Sequence, residues 1–262
     1  MIRRVLVTRP EPDASRTAQQ LAMRGFEALV LPLTKIVALP EQDALSTDVD
    51  AVAVTSSNAL RHASDKLLAA LTRKPCFAVG DKTAKQARQA GFASVMSANG
   101  DAHRLAALIG DNSTPDARIA YLCGGVRRPE FEAALEQIGR KVVPIETYDT
   151  VRLEPTDSAI EQALGAQSVD AVLVYSAESA VVLTNLLKRP SLADRLSNAV
   201  FCCLSARVAA SLALESTRIR IAARPSQERR APLPPPRRSR DRSCRRAPAV
   251  WFCRRCPTRG AA

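Results

Sequence analysis

"VDAVAVTSSNAL" at residues 49–60 and "VDAVLVYSAESA" at 169–180 are two versions of one segment. Each begins with a short run that is apolar at almost every position and then turns to small hydroxyl and amide residues. A run without polar alternation suits a strand buried on both faces, as in a parallel sheet covered by helices on either side. The Ser- and Asn-containing turn that follows suits the first residues of a helix. A second pair supports the repeat. "LAMRGFEALVLPLTKI" at 21–36 and "LEQIGRKVVPIETYDT" at 135–150 share a leading Leu, a Gly that ends a helix, an apolar strand and a Pro near its end. The chain therefore reads as one α/β unit written twice.

Working outward, strand-like runs alternate with helix-period segments from the start to about residue 225, which predicts parallel sheets. The expected strands are 5–8, 28–31, 51–55, 76–79, 94–97, 119–123, 142–145, 171–175, 200–204 and 219–222. Three helices are marked at their ends. Asp13 is expected to cap a helix ending near Gly25, with Leu21 and Ala22 inward. Asp101 is expected to cap "AHRLAALIG", with Leu105, Leu108 and Ile109 inward. Pro129 and Glu130 open a helix that turns Phe131, Leu135 and Ile138 inward and stops at Gly139.

The repeat is not cut at mid-chain. Each copy has a Pro-containing extended stretch, "LPLTKIVALP" and "VPIETYDTVRLEP", and pairing of these two would form a two-stranded hinge. The expected organisation is a discontinuous first domain of residues 1–33 and 153–225, a hinge of 34–41 and 142–152, and a second domain of 42–141. A single cut near Ser113 is the alternative.

After residue 225 the pattern breaks. "SQERRAPLPPPRRSRDRSCRRAPAVWFCRRCPTRGAA" stands where the first copy has a helix led by Asp101, and Pro232, Pro234, Pro235 and Pro236 forbid a regular helix there. Residues 226–262 read as an aberrant, disordered basic tail with the composition of a GC-rich gene translated out of frame. The tail also explains the net charge of +12: it holds 11 Arg, no Lys and 2 acids, leaving 27 basic and 24 acidic residues in 1–225. The body is near neutral, and a specific nucleic-acid partner is not expected. No apolar run approaches the ~20 residues that span a bilayer, and the opening "MIRRVLVTRP" enters a strand directly, so a soluble cytoplasmic protein without membrane contact is expected. Four of the 7 Cys, at 76, 123, 202 and 203, lie in strand-like runs where Cys acts as a small hydrophobe. Cys253 and Cys256 have zinc-like spacing but only Cys244 nearby, so no metal is assigned. His62 and His103 are placed on solvated helix surfaces.

Ligands of open α/β sheets bind where strands end and helices begin, and helix N-termini favour anions. Six such turns stand out: "TRPEPD" at 8–13, "TSSNA" at 55–59, "VGDKTA" at 79–84, "CGGVRRP" at 123–129, "YSAES" at 175–179 and "LSARVA" at 204–209. Arg9, Lys82, Arg127 and Arg128 accompany them, without a Walker A or GxGxxG sequence. Together they predict an anion-binding cleft between two domains.

The ordered set "VLVTRP", "LPLTKI", "DAVAVTSSNA", "AVGDKTAKQARQAGF", "YLCGGVRRPEFEAALEQIG", "VVPIETYDT" and "DAVLVYSAES", spanning about residues 3 to 224, resembles the uroporphyrinogen-III synthase family. The resemblance implies two flavodoxin-like parallel-sheet domains joined by a two-stranded linker. It also implies cyclisation of hydroxymethylbilane with inversion of its D ring and loss of water, without metal or cofactor. The family's tyrosine matches Tyr148, implied as the catalytic proton donor, and Thr83 matches the hydroxyl of the family's G-x-x-T-A turn. The implied substrate-binding residues are Arg9, Thr55, Ser56, Ser57, Asn58, Gly80, Thr83, Gly124, Gly125, Arg127, Tyr175, Ser176 and Ser205. Ser205 departs from the family pattern, because "LSARVA" lacks the Gly-x-x-Thr-Ala of its twin. The implied partners are the small-molecule substrate and, functionally, the hydroxymethylbilane synthase that supplies it; a monomer is expected. A two-lobed binding module for an anionic small molecule is the rival reading.

Overall fold

The computed structural model describes residues 3–40, 48–127 and 129–222. The chain divides into two compact units, the first made of residues up to Lys35 and from Arg152 onward, the second of Ile36–Val151.

The first unit is a five-stranded sheet in the order β11-β10-β9-β1-β2, formed by β1 (Arg3–Val7), β2 (Phe26–Val30), β9 (Ala171–Val174), β10 (Val200–Cys203) and β11 (Ile219–Ile221). All four pairings are parallel. The central strands are apolar throughout because both faces are covered. Leu6, Val172, Val174 and Phe201 face a core completed by Ile160, Leu164, Leu183 and Val208. Val5, Val7, Leu173 and Cys202 face the other side, where Ala14 and Leu21 close over them. The helices are α1 (Asp13–Ala22), α7 (Asp157–Leu164), α8 (Ala177–Leu186), α9 (Pro190–Ala193) and α10 (Ala206–Ala210).

The second unit is a six-stranded sheet in the order β3-β8-β7-β4-β5-β6. Its strands are β3 (Thr34–Ala38), β4 (Ala51–Val54), β5 (Cys76–Ala78), β6 (Val95–Ser97), β7 (Arg118–Gly124) and β8 (Lys141–Arg152). Val52, Val54, Ala120 and Leu122 pack on Leu60, Leu67, Leu71 and Ala87 of α2 (Ser57–Arg61), α3 (Asp65–Leu71) and α4 (Asp81–Gln89). Ala51, Phe77, Ile119 and Tyr121 pack on Leu105, Ile109, Phe131 and Leu135 of α5 (Ala102–Asp111) and α6 (Pro129–Gln137). Without β3, the order β8-β7-β4-β5-β6 matches β2-β1-β9-β10-β11 strand for strand, so the repeated sequence builds the same sheet twice. In the first unit this is the 2-1-3-4-5 order of flavodoxin-like sheets. Gly25 and Gly139, the paired glycines of the repeat, have φ of +77° and +72°, a helix-ending conformation costly for other residues.

Strand β8 is one continuous element. Its first part pairs in parallel with β7 from Lys141 onward, and it also borders β3, where Leu39 N–H donates to the Thr147 carbonyl at 3.0 Å. In the first unit the Leu153 N–H donates to the Leu33 carbonyl at 2.9 Å.

Several local expectations differ from what the structure shows. Asp13 does not cap α1: it is the first helical residue, and its carboxylate accepts from Arg9 at 2.7 Å and Arg16 at 2.9 Å. Ala22 is exposed beside buried Leu21 and Leu108 is half-buried beside buried Ile109, each at the rim of its helix's apolar stripe, and Ile138, just past the end of α6, is 38% exposed. Asp101 does cap α5, accepting from the Arg104 N–H at 3.0 Å. His62 ends α2 half-buried rather than on a solvated surface, and His103 is exposed.

Arg140, at 8% exposure, lies in the core-side turn before β8. Its guanidinium donates to Ser113 Oγ at 2.9 Å and to the carbonyls of Ile138, Gly110 and Ser113 at 2.6, 3.0 and 2.8 Å. These satisfy carbonyls left open at the end of α5. No helix among the described residues is long and apolar enough to cross a membrane. The tail at 226–262, with Cys244, Cys253 and Cys256, lies outside the described residues, as does Arg128.

Candidate active site

In the second unit, three strand ends carry the candidate residues. β4 runs into Thr55 and Ser56. Thr55 Oγ1 lies 2.9 Å from the Tyr121 hydroxyl, and Ser56 Oγ accepts from the Asn58 N–H at 3.2 Å, capping α2. Ser57 is buried, while the Asn58 amide oxygen accepts from Arg61 at 3.2 Å. β5 runs through Val79 to Gly80, which precedes α4; Thr83 is buried within that helix's first turn. β7 ends at Gly124, and Gly125 N–H donates to the Tyr148 carbonyl at 2.9 Å. Arg127 then donates to Glu132 at 2.8 Å and also to Glu146, so two carboxylates hold its guanidinium.

Tyr148 is brought to this edge by an irregularity. β7 and β8 pair one to one from Arg118 and Lys141 to Cys123 and Glu146, and then Gly124 faces Tyr148, leaving Thr147 as an extra residue. This is a β-bulge, which re-aims side chains. Thr147 is buried and its hydroxyl donates to the Ala59 carbonyl at 2.8 Å, anchoring the bulge. The half-buried Tyr148 ring lies against Gly124, with the His62 ring 6.3 Å away. Burial raises the Tyr148 phenol above its ordinary value, opposed by a hydrogen bond with Ser56. Burial also pushes Tyr121 and Cys123 up to about 12, leaving both neutral. Beside this cluster, His62, Glu146 and Thr147 line a depression of about 230 Å³ reaching Leu39 and Leu67.

The first unit has its own cluster. Arg9, 12% exposed, pairs with Asp13 and lies over the Tyr175 ring at 4.4 Å from its centroid. Thr8 is buried and donates to the Leu173 carbonyl at 2.8 Å. Burial raises the Tyr175 phenol, while the Arg9 charge and a hydrogen bond with Thr17 oppose it. Ser176 caps α8 and donates to Ser179 Oγ at 2.9 Å; Ser205 caps α10, accepting from the Val208 N–H at 3.4 Å.

The structure thus groups Thr55, Ser56, Gly124, Gly125, Arg127 and Tyr148 in one unit, and Arg9 with Tyr175 in the other. Sequence reasoning missed Tyr121, Glu146, Thr147 and His62. Tyr121 is hidden in the apolar run "RIAYLCG", and the other three matter only through the bulge and the end of α2. No group of three or more His, Cys, Asp or Glu suited to a metal is found among the described residues.

Parallel sheets, strand-end polar loops and a seated phenol define an α/β enzyme of the open-sheet class. The structure is similar to uroporphyrinogen-III synthetase from Helicobacter pylori, with a TM-score of 0.62 at 17% identity over 87% of this chain and 95% of that one. It is also similar to a mutant uroporphyrinogen III synthase from Thermus thermophilus, with a TM-score of 0.48 at 21% identity over 80% and 87% of the two chains. No curated protein matches the chain. Residues 15–230 match the family model of uroporphyrinogen-III synthase HemD, and the chain belongs to that family. It is a cyclising lyase of haem and tetrapyrrole biosynthesis, closing hydroxymethylbilane to uroporphyrinogen III. The rival binding-module reading is not favoured.

Proposed function

We propose that Tyr148 is the proton donor that lets the substrate hydroxyl depart. The C–O bond of the terminal hydroxymethyl group breaks with its electrons on oxygen, the phenol proton moves to that oxygen, and water leaves. The electron-poor methylene carbon then bonds to the substituted α-carbon of ring D. The bond from that carbon to the methylene shared with ring C breaks, that methylene re-bonds to the unsubstituted α-carbon of ring D, and the proton lost there restores the phenol. The balance needs no metal or cofactor. The observation that carries this reading is the half-buried phenol seated on Gly124, protonated at neutral pH like any phenol and raised further by burial.

The strand-end loops receive substrate carboxylates. In the second unit these are Thr55, Ser56, Ser57, Asn58, Gly80, Thr83, Gly125 and Arg127, with Gly124 taking part through its backbone alone; in the first, Arg9, Tyr175, Ser176 and Ser205. Arg127 would have to exchange Glu146 or Glu132 for a substrate carboxylate. The enzyme works as a cytoplasmic monomer, taking substrate from hydroxymethylbilane synthase, with no membrane or specific nucleic-acid partner.

The test is the rate and isomer of product formed from enzymatically generated hydroxymethylbilane. Wild type should give the type III isomer, and Tyr148→Phe should lower kcat by ~10²–10⁴-fold, the usual worth of a positioned proton donor. An unchanged kcat would remove Tyr148 from the chemistry.

A further inference from the structure

We infer that Gly124 is a positioning residue for the reaction: its missing side chain is the space in which the Tyr148 ring sits. A Cβ built at Gly124 would lie 2.7 Å from Tyr148 Cζ and 2.9 Å from Cε2, closer than real Cβ atoms approach, and a tight 3.1 Å from Cε1. Cζ is the atom that carries the hydroxyl. The backbone does not itself require glycine here: Gly124 lies in strand β7 and is absent from the positive-φ glycines. The close approach of the ring is therefore the reason a side chain is excluded.

The seat is fixed from the other side as well. In unbroken register Gly124 would face Thr147; the bulge puts Tyr148 there instead, Thr147 is tied to the Ala59 carbonyl, and the Gly125 N–H holds the Tyr148 carbonyl. Those bonds fix the backbone on which the ring is carried, so a methyl group at position 124 is met by rotation of the Tyr148 side chain, which moves the phenol. A misplacement of about 1 Å in a catalytic group can cost ~10²-fold in rate.

The inference rests on Tyr148 being the proton donor, and the experiment separates the two. Steady-state kcat and KM are measured for G124A, Y148F and the double variant on enzymatically generated hydroxymethylbilane. Y148F is expected to lose ~10²–10⁴-fold in kcat. G124A is expected to lose at least about tenfold in kcat, up to the ~10² of a misplaced group, with KM little changed. The double variant is expected to be no slower than Y148F, because the added methyl acts only by displacing that hydroxyl. Should G124A slow Y148F by the same factor as it slows wild type, Gly124 acts on substrate or fold instead and the inference is overturned. A wild-type rate for Y148F overturns the proton-donor reading itself, and the inference with it. If G124A is too unstable to assay, melting temperatures decide: G124A should lower Tm in wild type but not in a Y148A background, where the ring is gone. Equal losses in both backgrounds overturn the steric account.

Discussion

The Arg9 guanidinium is pinned between Asp13, at 2.7 Å, and the face of Tyr175, at 4.4 Å, while its Nε is buried without a hydrogen-bond partner. An arginine placed this way holds the first unit's strand-end loop together whether or not it also meets substrate. Arg9→Ala should therefore lower Tm as well as weaken substrate binding. Breaking a buried pair usually costs ~3–5 kcal/mol. Asp13 keeps Arg16 at 2.9 Å, so the loss should fall below that range. A raised KM with an unchanged melting curve would show that the stacking contributes nothing to the fold.

Arg140 offers a purely structural contrast. Arg140→Ala removes four hydrogen bonds from an 8% exposed site and leaves carbonyls of Gly110 and Ser113 without that donor. Hydrogen bonds to charged groups contribute ~1.5–3 kcal/mol each, so a loss of several kcal/mol is expected in urea unfolding. Arg140→Lys should recover only part of it, since one ammonium cannot reach all four acceptors. The kcat of the folded fraction should not change. A milder loss than ~1 kcal/mol would mean that water replaces the guanidinium.

The chain has 3 tyrosines, and burial raises all of them, Tyr121 to about 12. A group whose folded value lies above its unfolded value of ~10 stabilises the fold fully below that pH. The contribution is lost as pH climbs from ~10 towards the folded value. Ultraviolet titration of the native protein should accordingly show little tyrosinate at pH 10, with an abrupt rise on addition of urea. Stability should fall between pH 10 and 12, and the alkaline limb of kcat should lie above pH 10. Tyrosinate appearing at pH 10 in the native protein would contradict the burial of all three.

One face of the sheet is covered differently in the two units. In the second unit α5 and α6 pack on that face of its own sheet, whereas among the described residues α1 packs on the equivalent face of the first unit's sheet. Replacing residues 226–262 by a helix with the apolar spacing of Leu105, Leu108 and Ile109 should raise Tm. Burying each such side chain is worth ~1.5–3 kcal/mol. A lower Tm would mean that the native segment is itself part of the fold.

Much of the fold was legible because strand and helix periods are local. All ten expected strand segments correspond to strands, nine with ends shifted by at most two residues and 142–145 as the start of the longer β8, and the paired glycines at 25 and 139 marked real helix ends. Tyr148 was found through the ordered motifs, not through any property of "ETYDT" alone. The relation between Tyr148 and Gly124 could not be read in advance, because it depends on one extra residue in a pairing between distant strands. Asp13 differs from expectation for a similar reason: Pro12 takes the N-cap position, and the Asp13 carboxylate pairs with Arg9 and Arg16. Ser57 is buried because the turn of α2 rotates it inward, which the hydroxyl-rich run "TSSNA" does not itself show.

The same strand order reached from two starting points has a kinetic consequence. The second unit is contiguous, Ile36–Val151, so its sheet can close as soon as that stretch has left the ribosome. The first cannot: β1 pairs with β9 through Val5 and Ala171, and the whole second unit lies between those partners. Contacts so distant in sequence form late, since loop closure must precede their reward. We therefore expect hydrogen-exchange labelling during refolding to protect Val52–Val54 before Val5–Val7. During synthesis β1 can pair early with β2 but must wait for β9 on its other side, which leaves that edge of "RRVLV" open to misassembly.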